Sequence, residues 1–337
     1  MNETPLVSVC IPTYNSQKTL IQTLESLLKQ TYTNLEIVVV DNASTDNTSE
    51  LLSDYIQNKD IKYYRNSKTI VAEENFDRCV ELAQGEYTAI FHADDLYKPD
   101  MVEKQVQTFL ENSEIGAVFT LADTINEDGK KIGELGLPAD LPDKDVYNFC
   151  DIFTATLKNM NFLTCPSAMV KTDIYKESIP FDYKKFKTSS DVDMWLRILK
   201  KHPISIVKEN LMCYRISKMQ GYYQVRYLRT EKNDFSKVMD YHLSKVDSIP
   251  KDVLETYQSL ENGFNIQFAA NHLIKKEVED AKSLLKKTVT FRSIILSIKR
   301  RKSFILMLAG ISMLMSIYLK VWKYYSKVLY WYLYGRN

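Results

Sequence analysis

Glu86-Tyr87-Thr88-Ala89-Ile90-Phe91-His92-Ala93-Asp94-Asp95 decides how this chain is read. Gly85 precedes the run and Pro99 follows it, and between these breakers the aromatic and β-branched residues have the composition of a strand. Open α/β sheets bind ligands beyond the C-terminal ends of their strands, which is where Asp94 and Asp95 would be delivered. Two ionised aspartates side by side repel each other unless a cation sits between or beside them. Their hard oxygens suit Mg2+ or Mn2+, ions that commonly carry substrate phosphates. Taken alone, the dipeptide reads more readily as the opening of a solvated loop, so the flanking sequence has to decide.

Upstream, residues 7–11 read as a buried strand stopped by Pro12. Asn15 and Ser16 can cap the helix that follows, in which Leu20, Ile21, Leu24, Leu27 and Leu28 keep helical spacing. Residues 35–40 form a second strand of the parallel-sheet type that ends at Asp41. A polar turn then leads to a helix marked by Leu51, Leu52, Tyr55 and Ile56. Residues 61–64 give a weaker third strand, Phe76, Cys79, Val80 and Ala83 mark another helix, and residues 117–122 are the next strand. Strands alternating with helices from the start predict an α/β domain with a mostly parallel, doubly wound sheet and right-handed crossovers. Its ligand edge would gather three polar clusters, residues 12–15, 41–44 and 92–95, each placed directly after a strand.

The 337 residues leave room for about two domains. The net charge of +1 hides a division. Residues 281–337 carry 12 of the 44 lysines and arginines and no acidic residue, so the first 280 set 32 basic against 43 acidic side chains, a net of −11. A nucleic-acid binder would carry its basic footprint on the folded body, so this class is excluded. An acidic body with a basic, apolar tail suits attachment to an anionic membrane surface. The five cysteines (Cys10, Cys79, Cys150, Cys165, Cys213) are widely spaced and form no CxxC pair, which predicts reduced thiols and no zinc site. No basic segment followed by an apolar one opens the chain, so no signal peptide is expected and the compartment is expected to be cytosolic.

Four blocks carry a resemblance: Val-Ser-Val-Cys-Ile-Pro-Thr-Tyr-Asn (7–15), Val-Val-Val-Asp-Asn-Ala-Ser-Thr-Asp-Asn-Thr (38–48), Gly-Glu-Tyr-Thr-Ala-Ile-Phe-His-Ala-Asp-Asp-Leu (85–96) and Ser-Asp-Val-Asp-Met-Trp-Leu-Arg-Ile (190–198). Their order and spacing resemble the signature blocks of family-2 inverting glycosyltransferases of the bacterial surface-glycan type, over residues 5–217. The resemblance implies the GT-A fold, with a nucleotide-binding half joined to an acceptor-binding half. It implies that the turn holding Pro12 and Tyr14 receives the donor's base and ribose, with Tyr14 against the base. Asp41 would accept the imide N–H of a uracil base, or else serve as a turn or helix-cap residue. Asp94 would face the ribose, and Asp95 would ligate Mn2+ or Mg2+ on the diphosphate. His92 stands in the first acidic position of the usual Asp-Ala-Asp-Asp, as a spacer on the sheet edge or as a contact to sugar or metal. Asn42 replaces a second acidic residue, and no equivalent is evident for the arginine that some members place near the base.

In the second half, residues 123–150 are polar and turn-rich, residues 164–170 read as a strand close to the site, and residues 184–190 as a polar loop. A helix then begins near Ser190. Asp191 and Asp193 fall in its first turn, where the helix dipole favours acidic residues. The resemblance makes Asp191 the catalytic base and leaves Asp193 to face Arg197 at i+4. Inversion requires one deprotonated group opposite the leaving diphosphate, to take the proton of the attacking acceptor hydroxyl. A metal that offsets charge on the departing nucleotide completes the requirement, and no covalent nucleophile is needed. Residues 204–207 and 212–215 resemble short closing strands, with Ser217 where the family often has a histidine. Arg215 or Lys218 would then place positive charge on the diphosphate.

The reading divides the chain into a GT-A domain over 1–220, a helical region over 221–290 and a membrane-associating tail over 291–337. In the tail, Lys299-Arg300-Arg301-Lys302 precedes 17 uncharged residues, 303–319, against the roughly 20 that a spanning helix wants. Lys320, Lys323 and Lys327 then line one side of a helix whose other faces carry Trp322, Tyr325 and Tyr332, a pattern suited to the headgroup region. Both a helix lying in the interface and a span over 303–319 are compatible with it, and removal of 291–337 is expected to free the protein from the membrane. The function expected is metal-dependent transfer of a sugar from a UDP-linked donor to a carbohydrate acceptor on polyprenyl diphosphate, at the cytoplasmic face of the cell membrane. The rivals are a sugar-1-phosphate nucleotidyltransferase, for which residues 12–15 lack a Gly-rich basic loop, and a non-catalytic membrane-attached scaffold that binds nucleotide sugars.

Overall fold

Strands β1 (Val7–Thr13), β2 (Leu35–Asp41), β3 (Ile61–Arg65) and β4 (Tyr87–Ile90) pair in the order β3-β2-β1-β4, all parallel. Val7, Val9, Cys10, Ile11, Val38, Val39, Val40 and Ala89 are inaccessible to solvent, as expected for strands covered on both faces. The order runs from β1 outward through β2 and β3 on one side and to β4 on the other. A topological switch point therefore opens at the C-terminal ends of β1 and β4. Register brings the ligand edge together: Thr13 lies opposite Asp41, Asp41 opposite Arg65, and Cys10 opposite Ile90. The helix Leu20–Leu27 turns Leu20, Thr23, Leu24 and Leu27 inward, and the helix Met101–Glu111 does the same with Met101, Val102, Gln105, Val106 and Phe109.

The computed structural model describes residues 4–58, 61–216 and 228–334. Beyond β4 the sheet continues through β5 (Leu96–Tyr97), β6 (Ala117–Ile125), β7 (Lys131–Leu135), β8 (Val146–Tyr147), β9 (Met169–Lys171) and β10 (Ile204–Arg215). β9 lies antiparallel between β4 and β6, and β10 runs parallel to β6. The result is the mostly parallel α/β sheet that the alternation predicts, with antiparallel insertions.

Three local expectations are corrected. The strand expected over 164–170 pairs only from Met169, because Pro166 lacks an N–H and sits in a 3-10 turn, Cys165–Ser167. The polar loop at 184–190 is taken up by the short helix Tyr183–Phe186 and the 3-10 turn Lys187–Ser189. The two short strands near 204–207 and 212–215 are one strand, β10, with register shifts between Val207 and Met212.

The chain divides into two units, Met1–Ser217 and Lys218–Asn337. In the second, the helices Lys251–Ile274 and Val278–Thr288 share a core with the helix Arg301–Tyr318, through Ile266, Ala269, Leu273, Leu285, Met307, Met313 and Ile317. A Cβ on Gly310 would come within 3.0 Å of Ile266, so glycine sets how closely these helices approach. Arg301–Tyr318 is thus apolar twice over. Met307, Met313 and Ile317 are buried, while Phe304, Ile305, Leu308, Met315 and Tyr318 remain exposed.

Candidate active site

The first two ligand-edge turns are laced together. Thr45 donates its N–H to Asn15 Oδ1 at 2.8 Å, and Asn15 donates its own to Ser44 Oγ at 2.9 Å. Asn15 and Ala43 adopt left-handed backbone (φ 51° and 57°), which makes both turns tight. Tyr14 projects 49% exposed, while Pro12 is half-buried.

Asp41 closes β2 and is inaccessible to solvent. Its Oδ1 accepts from the N–H and the hydroxyl of Ser44 at 2.8 and 2.6 Å. Its Oδ2 accepts from the Tyr63 hydroxyl at 2.6 Å and Arg65 Nη1 at 3.0 Å. A carboxylate offers about four acceptor positions, and Ser44, Tyr63 and Arg65 occupy all of them. Arg65 also donates to the Ser44 carbonyl at 2.7 Å, which leaves a half-exposed guanidinium beside the turn. No local pattern marks Arg65 in the sequence; the register Asp41 to Arg65 brings it there.

The pair at 94–95 is not at the end of a strand. β4 stops at Ile90, and residues 92–95 form a turn before β5, with Asp95 N–H donating to the His92 carbonyl at 3.3 Å. β5 is tied to β10 through Tyr97 opposite Met212, which brings Arg215 to the turn. The Arg215 N–H donates to Asp95 Oδ1 at 2.8 Å and its Nε to the Asp94 carbonyl at 2.7 Å. Its Nη groups donate to the carbonyls of Asn126 and Glu127 and to Gln22 Oε1, at 2.9–3.2 Å. The Arg215 guanidinium, expected near the diphosphate, is thus placed against the Asp94 turn, where it is buried and donates to protein oxygens. Lys218, the other candidate, lies outside the described residues.

Asp95 is inaccessible to solvent, and its Oδ2 has no hydrogen-bond partner among the described residues. Burial, reinforced by the Asp94 charge, pushes its carboxyl well above the usual carboxylate range. The same applies to His92 Nε2, buried without a partner, and burial holds that imidazole below its ordinary value. Unpartnered buried polar atoms are uncommon in folded proteins and call for a physical account. A ring nitrogen of His92 and one carboxylate oxygen each of Asp94 and Asp95 lie within 4.8 Å of one another, so the residues present fit a divalent ion.

Asp191 opens the second residue of the helix Ser190–Leu199 and keeps partial exposure. Packing around its carboxyl pushes it up to about 6; the Glu73 charge acts in the same direction, and the N–H groups of Asp191 and Val192 oppose it. Asp193 turns away, buried, and pairs with Arg197 at 2.8 Å, as the i+4 spacing implies. Asp191 and Asp95 come from distant parts of the chain, yet the half-buried Cys165 thiol is raised by burial and then by the charges of both. The Tyr214 hydroxyl likewise feels Asp95, Asp94 and Asp191. The two carboxylates are therefore within electrostatic reach of the same two side chains. Glu73 carries no motif in the sequence, and its place follows from packing; Cys165 and Tyr214 fall in stretches read as close to the site, but nothing local marks their relation to the carboxylates.

A family model described as "Glycosyl transferase family 2" matches residues 8–178. An uncharacterised glycosyltransferase of Methanocaldococcus jannaschii is 32% identical over 222 residues, 65% of this chain and 73% of its own. The UDP-Glc:alpha-D-GlcNAc-diphosphoundecaprenol beta-1,3-glucosyltransferase WfgD of Escherichia coli is 29% identical over 217 residues, 63% of this chain and 78% of its own. Some relatives are longer, and this chain spans 33–34% of their length. Among solved structures, S. aureus TarS 1-349 in complex with UDP-GlcNAc superposes with a TM-score of 0.58 at 18% identity, over 98% of this chain and 92% of that one. The mannosyltransferase PcManGT of Pyrobaculum calidifontis, in complex with GDP-Man and Mn2+, gives 0.55 at 15% identity, over 93% and 88%.

Proposed function

The chain belongs to glycosyl transferase family 2, and from that premise we propose that it is an inverting enzyme. It moves a sugar from a UDP-linked donor to a carbohydrate acceptor on polyprenyl diphosphate, in surface-polysaccharide or glycan assembly. The reading is supported by the charges of Asp191 and Asp95, which both act on Cys165 and Tyr214, and by the buried Asp95 Oδ2, left without a partner among the described residues. The polyprenyl acceptor is argued from the diphosphoundecaprenol-linked acceptor of WfgD and from the tail of this chain.

In this reading Tyr14, with its exposed ring, stacks on the base, and the turn of Pro12 borders the ribose. With the acceptor positions of Asp41 filled by Ser44, Tyr63 and Arg65, base recognition requires one of these three to yield. Arg65, half-exposed, is the one placed to move. Asp94 would border the ribose, and Asp95, its Oδ1 held by the Arg215 N–H, would hold a divalent ion through its other oxygen. When bound, that ion supplies positive charge to offset the charge growing on the departing diphosphate. Asp191 takes the proton of the acceptor hydroxyl as that oxygen attacks the anomeric carbon. Its elevated pKa follows from the packing that shields it from water, which also makes it a stronger base than an exposed aspartate.

The test is a screen of nucleotides and nucleotide sugars, with and without Mn2+ or Mg2+, by thermal stabilisation of the purified protein. UDP or a UDP-sugar with a divalent ion should raise the unfolding midpoint, since a ligand held at 100 times its Kd adds about 2.7 kcal/mol. A protein that no nucleotide stabilises under any ion would refute the reading.

The tail bears on localisation. Residues 291–337 hold 9 basic and no acidic residues. Phe291, Ile295, Ile298, Ile305, Leu308, Met315 and Leu319 are all exposed. We place these side chains in the headgroup boundary of an anionic membrane. One face of Arg301–Tyr318 is committed to the core of its own unit, so it lies in the interface rather than spanning it. Removal of 291–337 would also strip Met307, Met313 and Ile317 from that core, so outward-facing substitutions are the better test. Ile305→Glu with Leu308→Glu should release the protein from vesicles containing anionic lipid without lowering its unfolding midpoint. Lys320→Glu with Lys323→Glu should weaken binding by about 1 kcal/mol or more per residue at low salt. Unchanged vesicle binding in both variants would rule out this face.

A further inference from the structure

We infer that His92 is a ligand of the divalent ion in this chain, which makes the site a mixed nitrogen and oxygen site selective for first-row transition ions over Mg2+. The inference rests on the proposed nucleotide-sugar reading and deepens it by naming the ligand set and the ion class.

Three independent observations lead there. Proximity is the first: a ring nitrogen of His92 and carboxylate oxygens of Asp94 and Asp95 fall within 4.8 Å of one another. Two ligands of one ion, each at about 2.1 Å, lie at most about 4.2 Å apart, so the three side chains are near enough to close on an ion by drawing together. The second is the pair of orphaned atoms. His92 Nε2 and Asp95 Oδ2 are both buried, and neither has a hydrogen-bond partner among the described residues. The neighbouring polar groups at this edge are satisfied: the side chains of Asn42, Asn66 and Asn75, buried at the edge of β2, donate to and accept from one another and nearby main chain. An unpartnered buried carboxylate oxygen calls for a donor or a cation, and an imidazole nitrogen with two carboxylates gathered in the same turn favours the cation.

Orientation is the third. The His92 ring stacks on Phe76 at 5.7 Å between centroids and 25° between planes, and Phe76 in turn meets Phe181 edge-on. Such packing holds the ring in one pose, as outer contacts do for metal-bound histidines. The chemistry of the donor set then decides the ion. Mg2+ favours oxygen donors and strict octahedral geometry, whereas imidazole suits the first-row transition ions. Replacing an acidic residue by histidine also removes one negative charge from the site, which costs Mg2+, bound almost wholly by charge, more than it costs an ion with affinity for nitrogen.

The experiment uses the full chain made with 15N-histidine, loaded with Mn2+ in the presence of unlabelled UDP and read by pulsed EPR. The protein has 4 histidines, so assignment comes from variants. A directly coordinated 15N coupling is expected in the wild type and is lost in His92→Asp and in His92→Gln while Mn2+ remains bound. Titration of Mn2+ against Mg2+ should show the preference for Mn2+ falling about tenfold in His92→Asp, which restores an all-oxygen set. Mn2+ and UDP bound to the wild type without 15N coupling would overturn the inference and leave the proposed function standing. Failure of any divalent ion to raise UDP affinity would instead overturn the metal-dependent reading, and His92 as a ligand with it. If His92→Asp does not fold, His92→Gln carries the assignment, and a coupling that persists in it would overturn the inference.

Discussion

Asp191→Asn is expected to lower turnover by about 10^2- to 10^4-fold, the range that a positioned general base supplies, while UDP affinity stays within a few-fold of wild type. Asparagine keeps the size of the side chain and its place at the start of the helix Ser190–Leu199, so the fold has no cause to change. It loses the lone pair that can hold a proton. The wild-type pH profile carries the same information. With the Asp191 carboxyl pushed up to about 6, kcat/KM should fall about tenfold per pH unit below that value and level off above it, because only the ionised form accepts the proton. Near neutrality the group is mostly ionised and ready. In the asparagine variant this acid limb should vanish. Asp193→Asn is the control: Asp193 is buried against Arg197, so its loss should lower the unfolding midpoint and leave the acid limb in place. A variant of Asp191 with wild-type turnover would take this residue out of the mechanism.

Asp95→Asn should abolish the gain in UDP affinity that Mn2+ brings and reduce turnover by a factor comparable with that of Asp191→Asn. Charge stabilisation of a leaving diphosphate is worth several kcal/mol. The substitution is conservative in the fold, since asparagine can still accept the Arg215 N–H that now meets Oδ1 at 2.8 Å. The two variants separate by readout. Asp191→Asn binds the metal nucleotide and fails to transfer, whereas Asp95→Asn fails already at metal-assisted binding. Asp95→Asn with intact Mn2+-dependent UDP binding would move the ion to another set of ligands.

The contrast between Asp41 and Asp95 shows how far residue identity carries. Both are aspartates at the same sheet edge, and both are inaccessible to solvent. One has every acceptor position filled by Ser44, Tyr63 and Arg65, and the other keeps an oxygen with nothing to accept from among the described residues. Sequence blocks place the two alike, and only packed neighbours tell them apart. Arg215 teaches the same lesson for a cation. Its position after a closing strand suggests a phosphate contact, but its hydrogens reach main-chain carbonyls of the Asp94 turn and of the hairpin after β6.

The sequence by itself determined the alternation of strand and helix, the three polar clusters that follow β1, β2 and β4, and the basic, apolar character of the tail. These are local or periodic properties, set by burial of both sheet faces and by charge, and a linear chain displays them directly. Only the tertiary structure decided that β5 and β10 converge on the carboxylate turn, that Arg65 comes beside Asp41 by register, and that His92 and Asp95 in one turn each hold a buried atom without a partner among the described residues. It also decided that Arg301–Tyr318 spends one apolar face on its own core and leaves the other open. The physical reason is common to all of these: each depends on which groups distant in sequence saturate one another's hydrogen bonds and apolar surface, and that is fixed by packing.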